Sequence, residues 1–243
     1  MPGADISVFL SEDPKGISCN DLVSSVRTKK LALADIQRDS VWDKSLAKQL
    51  DLFRSMYIGI PIGVLYVWEP LEGSEDILRS RHLDGLENSY DKESVKYLIL
   101  DGQQRTTTIC RLHLSKIATQ SDLMDRVVLD LSKDARMNKV FRFKKEFDYM
   151  SEPHEVIIQK LLLPEGLNNE IQRIQNTDLS AEEKLDYVTK LGKAQTAFST
   201  RKIAVQYVNS NANLQDALRI FSTVNQAGVA LADPDFIQAL FTS

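Results

Sequence analysis

The apolar positions of the chain switch repeatedly between helical and extended spacing. Ser18 and Asp21 have capping-box spacing ahead of Leu22, Val23 and Val26, which predicts a short helix. Lys30 to Ile36 alternates as a strand. Ser40 and Asp43 form a second capping-box candidate, after which Leu46, Leu50, Phe53 and Tyr57 recur at helical spacing as a core stripe. Ile60-Pro61-Ile62-Gly63 turns the chain into Val64 to Trp68, a β-branched and aromatic run expected of a central strand. Glu69 to Lys96 is rich in Gly, Ser and charge and reads as a long loop. Tyr97 to Leu100 is a buried strand by pattern, broken at Asp101-Gly102, and Ile109, Leu112 and Ile117 then mark a helix.

Further on, Val127 to Leu131 and Lys139 to Phe143 predict two strands, and Ser151 to Leu163 predicts a helix. A longer helix is expected over Ser180 to Ser199, opened by a Ser180/Glu183 capping box and carrying Leu185, Val188 and Leu191 on one face. Ile203 to Val208 follows as a strand and Leu214 to Phe221 as a helix. The expected class is therefore α+β, a mixed sheet with surrounding helices and a helical extension. Met1 to Gly16 lacks lasting periodicity and reads as a mobile lead-in, leaving residues 17–243 as one domain with a helical insertion at about 151–199. Asp233 to Phe241, with Pro234 at a first helical position, reads as a helix scarcely begun, so a C-terminally truncated piece of a longer protein is expected.

Composition narrows the classes. With 243 residues, 43% of them hydrophobic, the chain can bury a real core. A formal charge of -4 argues against a generally basic nucleic-acid coat, so DNA contact needs a local patch. The densest basic stretch holds Lys133, Arg136, Lys139, Arg142, Lys144 and Lys145; it reads either as a DNA-backbone contact or as a solvated edge guarded by lysine. Cys19 and Cys110 have no metal spacing, which fits a reducing, cytoplasmic compartment. No run approaches the roughly 18 apolar residues of a membrane span, so no membrane partner is expected.

The candidate chemistry sits where the strand at Tyr97 breaks, in Asp101-Gly102-Gln103-Gln104-Arg105-Thr106. A helix N-terminus offers unpaired N–H groups and positive dipole, Gly102 permits close backbone approach, and Arg105 can fork onto phosphate oxygens. The bland reading is that Asp101 caps the helix while the Gln and Arg side chains are solvated. Trp42 either stacks on a base or acts as a hydrophobic staple. His82 and Asp84 read as loop residues rather than a metal fragment. No Gly-x-x-x-x-Gly-Lys-Ser/Thr loop is present, which excludes a P-loop mechanism. His82, His113 and His154 form no nuclease constellation, and Cys110, about one and a half turns into the helix after Arg105, reads as a small buried cysteine.

Three stretches occur in a telling order: Ile36-Gln37-Arg38-Asp39-Ser40-Val41-Trp42-Asp43, the DGQQR run at Asp101 to Arg105, and Ile220 to Leu231 with Asn225 and Gly228. Together they resemble the N-terminal domain of GmrSD-like phage-defence proteins, a group that includes the phosphorothioate-sensing SspE-like, modification-dependent restriction factors. The resemblance implies a ParB/sulfiredoxin-like fold and a site for nucleotide binding and hydrolysis. Carried over, it makes Asp101, Gln103, Gln104 and Arg105 catalytic. It makes Gln37, Arg38, Gly102, Thr106 and Asn225 nucleotide-binding, with Mg2+ on Asp101 beside a nucleoside triphosphate. It further implies modified DNA as a partner, a nuclease domain C-terminal in the parent protein, and a possible homodimer. A binding module without turnover, or a ParB-like nucleotide-gated clamp, is the alternative. If the motif acts, Gln37 and Arg38 share one cleft with Asp101 to Arg105, with Asp101 and Asp39 as counterions.

Overall fold

The computed structural model describes residues 10, 13–34, 42, 45–70, 80–81, 83, 95–114, 126–137, 139–144, 152–209 and 212–226. In chain order the elements are β1 (Lys15–Ser18), α1 (Cys19–Arg27), β2 (Leu31–Ala34), α2 (Leu46–Ile58), β3 (Val64–Trp68), β4 (Ser80–Arg81), β5 (Tyr97–Asp101) and α3 (Gln103–Leu114). They continue with β6 (Arg126–Asp130), β7 (Phe141–Lys144), β8 (Glu155–Ile157), α4 (Ile158–Leu161), α5 (Gly166–Gln175), α6 (Ala181–Ser199), β9 (Lys202–Val208) and α7 (Leu214–Gln226). The fold is α+β.

Six strands form one mixed sheet in the order β1-β9-β3-β5-β2-β4. β3 runs parallel to β9 and antiparallel to β5, while β2 is parallel to β5, with Leu33 opposite Ile99. Period-two alternation separates the faces. Leu33, Leu65, Val67, Ile99 and Val205 join one core with residues of α1, α2, α3 and α6. Ala32, Trp68, Leu98 and Leu100 join a second core with Ala217, Ile220 and Phe221 of α7. The sheet is therefore covered on both faces.

A second, three-stranded antiparallel sheet, β7-β6-β8, packs against the larger core. Phe141 of β7 meets Tyr57 of α2 and Phe198 of α6 edge-on, at ring-centroid distances of 5.6 and 5.9 Å. Such pairs add about 1 kcal/mol each beyond the area they bury.

Local rules explain several boundaries. Ser18 accepts the Asp21 amide and opens α1, and Ser180 and Glu183 complete their reciprocal capping box at α6. Others differ from expectation. Lys15 and Gly16, expected in the lead-in, pair with Val205 and Ala204, and Leu10 bridges Val208. α2 begins at Leu46 after Ser45, which makes no side-chain cap, while Ser40 and Asp43 lie outside the described residues. Ser151 to Leu163 is not one helix. Its β-branched run Val156-Ile157-Ile158 starts extended, pairing with β6 as β8, before one short helical turn. α5 was not anticipated, because Asn168 and Asn169 dilute the apolar pattern that Leu167, Ile171 and Ile174 supply.

β8 also carries an ion-pair cluster. Glu155 receives Arg142 and, at 3.2 Å, Lys144, whose side chain is only 6% exposed. Burial pushes the Glu155 carboxyl up, but the two cations outweigh it and hold it below its ordinary value. A folded value below the unfolded one makes this contribution present at neutral pH and lost as pH falls through the lowered value. Glu155→Gln is expected to cost about 2 kcal/mol at pH 7, because it removes the carboxylate that Lys144 faces. In melts taken across the acid range, the gap between variant and parent should close below the ordinary carboxylate range. A gap constant down to strong acid would contradict the assignment.

Candidate functional site

Asp101 ends β5 on the face shared with Ile99, and the chain reverses at once into α3. The reversal places Gly102 at φ +98°, a left-handed conformation that glycine alone adopts cheaply. The Gly102 carbonyl accepts the Thr106 amide at 2.9 Å, the first bond of the helix ladder. The amides of the first helical turn have no intrahelical acceptor, so positive dipole and N–H donors concentrate here.

Arg105, one turn in, reaches back. Its Nη2 donates to Asp101 Oδ2 at 2.7 Å and to the Val64 carbonyl at 3.1 Å, and its Nη1 donates to the Ile62 carbonyl at 2.7 Å. The guanidinium thus ties the β5–α3 junction to the turn that enters β3. Asp101 is its counterion. Three of the five guanidinium N–H donors are committed.

Gln103, Thr106 and Thr107 are spaced i, i+3 and i+4, on one side of α3. All three are buried, with Thr106 0% and Thr107 1% exposed, yet Gln103 Nε2 and both threonine hydroxyls have no hydrogen-bond partner among the described residues. Leaving such a group unpaired costs about 1–3 kcal/mol, so three in adjacent turns at a helix start call for a reason. Thr107 is not among the residues expected from sequence; i+4 spacing puts it on the Gln103 side of the helix, and its unpartnered burial is what marks it.

Gln104 points elsewhere. Its Oε1 accepts the Trp42 amide at 3.1 Å, while the Trp42 carbonyl accepts Gln49 Nε2 at 2.8 Å and the Ser45 amide at 2.9 Å. The Trp42 side chain packs against the helix-side core, in line with a staple.

This strand-loop-helix junction can be set beside a family. The model for the GmrSD restriction endonuclease N-terminal domain matches residues 19–242. The chain belongs to that family. No curated protein matches it significantly.

Membership in a restriction family gives the other candidate residues their context. Gln37, Arg38 and Asp39 lie outside the described residues. Because β2 and β5 are parallel, their C-terminal ends share one edge of the sheet. Asn225 stands in the last turn of α7, and Gly228 lies beyond the described residues. His82 and Asp84 also fall outside them.

In the basic stretch, Arg136 pairs with Asp134, Lys133 with Asp130, and Arg142 and Lys144 with Glu155. Lys139 sits on a turn at φ 79°, and Lys145 lies outside the described residues. Charge spent on these carboxylates weakens the patch as a phosphate-backbone contact.

Cys110 is fully buried and its thiol is pushed far up by burial; the Cys19 thiol is pushed up to about 11 by the same cause. Neither is primed for thiolate chemistry. His113 is pushed down by burial while it faces the Phe198 carbonyl at 2.7 Å, which favours a neutral ring. Among the described residues no cluster of three His, Cys, Asp or Glu could hold a metal, and no helix is long and apolar enough to cross a membrane.

Proposed function

We propose that the domain binds the phosphates of a nucleoside triphosphate at the N-terminus of α3, hydrolyses it with Mg2+, and so acts as the nucleotide-dependent sensor of a modification-dependent restriction protein. The observation that carries this reading is the row of unpartnered buried donors at Gln103, Thr106 and Thr107 beside the helix amides. An oxyanion accepts hydrogen bonds from an amide N–H, from hydroxyls and from helix N–H groups, so the donor set fits a phosphate. Gly102 contributes the left-handed turn that starts the helix at that point.

Arg105 supplies charge at the same helix start while it holds the loop shape through Asp101, Ile62 and Val64. Asp101 is the residue that would hold Mg2+. One carboxylate together with phosphate oxygens and waters is a usual magnesium environment, so the absence of a protein-only ligand cluster among the described residues is compatible with it. The ion would supply neutralisation of phosphate charge. Gln103 positions without titrating, and Thr106 either donates or accepts. Modified DNA and a C-terminal nuclease domain belong to the same proposal, through family membership.

The test uses Thr106→Val, Thr107→Val and Gln103→Met. Each removes a polar group that has no partner among the described residues, so the free variants should melt at or above the parent temperature, by up to about 1 kcal/mol of stability each. With Mg2+ and each of the four nucleoside triphosphates, the parent should gain about 2.7 kcal/mol at a hundredfold excess over Kd and release phosphate. The variants should lose most of both. Stabilisation without phosphate release selects a binding module; variants that bind like the parent remove the site from α3.

A further inference from the structure

We infer that Gln104, although it lies inside the DGQQR motif, is a positioning residue: it fastens the Trp42 backbone, ahead of α2, to the first turn of α3. Trp42 and Ser45 are the described residues between the end of β2 at Ala34 and the start of α2 at Leu46. Three bonds hold the Trp42 backbone, one from each side chain of Gln104 and Gln49 and one from the Ser45 amide. Gln49 and Ser45 belong to α2 and its entry, so they set Trp42 only relative to α2. Gln104 is the bond that registers it against α3.

Burial supports a structural purpose for the set. Gln49 is 2% exposed, in a position otherwise suited to an apolar side chain, and its amide reaches a backbone carbonyl. The polarity at Gln104 is also telling. The Trp42 amide needs an acceptor, and Gln104 provides its carbonyl oxygen, whereas a phosphate contact would draw on the amide nitrogen as donor. Two neighbouring glutamines therefore divide the work. Gln103 leaves its donor nitrogen buried without a partner, and Gln104 commits its acceptor oxygen to the main chain.

The consequence for the site rests on the phosphate reading above. Gln104 fixes Trp42, ahead of α2, against the first turn of α3, and its loss acts on ligand affinity through the placement of that turn and not on the reacting atoms.

Amide hydrogen exchange tests the tether without any ligand. In Gln104→Ala the Trp42 amide should lose protection by about tenfold, the worth of one net hydrogen bond, while the Ser45 amide keeps most of its own. Gln104→Glu retains an acceptor oxygen and should retain Trp42 protection within about threefold. Unchanged Trp42 protection in Gln104→Ala, or equal loss in Gln104→Glu, overturns the inference. Kinetics give the second arm. With nucleotide and Mg2+, Gln104→Ala should raise KM while kcat at saturation stays within about twofold of the parent. A fall in kcat with unchanged KM would make Gln104 a contact to the reacting phosphate and overturn the positioning role. If the parent neither binds nor turns over nucleotide, the phosphate reading fails, and the exchange experiment still decides the tether.

Discussion

Gly102→Ala is expected to remove about 2–5 kcal/mol of stability for a single added methyl. Two costs combine. At φ +98° an alanine pays on the order of 1–2 kcal/mol for a conformation that L side chains avoid. Its Cβ would also overlap Leu65 Cδ2, a side chain 1% exposed in the core, and would approach Arg105 Nη2 to 3.3 Å. Overpacking of that kind costs about 1–3 kcal/mol more. For a chain of this size each kcal/mol shifts the melting temperature by roughly 2–4 °C, so a drop of about 4–20 °C should appear. Gly192 is the internal control. It lies within α6 with nothing inside 4 Å of an added Cβ, so Gly192→Ala should raise the melting temperature. A Gly102→Ala melt within 2 °C of the parent, judged against the same scale, would mean the loop relaxes without cost.

The second large effect belongs to Arg105. Arg105→Ala strips the donors from the Ile62 and Val64 carbonyls and leaves the Asp101 carboxylate beside a gap. The side chains are 17% and 28% exposed, so water recovers part of the loss, and about 3 kcal/mol is expected. Arg105→Lys restores the charge but not the fork that reaches three acceptors at once, and should recover less than half. Denaturant melts measure both. A lysine variant as stable as the parent would show that charge alone matters and that the carbonyl bonds to the β3 turn contribute nothing.

These two residues show which parts of the chain could be read in advance. The strand-loop-helix junction was legible because Tyr97 to Leu100 is uniformly apolar and ends on Asp-Gly, a pair with few other uses. The capping box at Ser180 was legible for a similar reason, since both of its bonds are local in sequence. The third strand of the second sheet, β8, was not. Val128 pairs with Arg142 on one side and Ile157 on the other, and no local pattern distinguishes Val156-Ile157-Ile158 as a strand from the start of a helix. Only the neighbour in space decides.

Roles were harder to read than elements. An arginine at the start of a helix looks like a phosphate ligand, and the turn at Ile62 to Val64 that it grips lies some forty positions upstream. Gln104 and Trp42 meet across 62 positions, and a glutamine offers the same two groups to a ligand and to a backbone. The burial of Thr106 and Thr107 without partners is a three-dimensional fact with no counterpart in spacing alone.

The placement of β9 sets a timetable for synthesis. It is hydrogen-bonded between β1 and β3, with Lys15 opposite Val205 and Val64 opposite Ala204, so the strand that joins the first to the third is the last one made. Translation at about 5–20 residues per second leaves on the order of ten seconds between Trp68 and Val208. Throughout that interval β3 offers an open row of backbone donors and acceptors with Leu65 and Val67 beside it, an invitation to pair with another nascent chain. Closure then depends on contacts of very long sequence separation, which are slow to form. Yield at high expression rates should therefore respond more to chaperone supply and temperature than the stability of the finished domain would indicate.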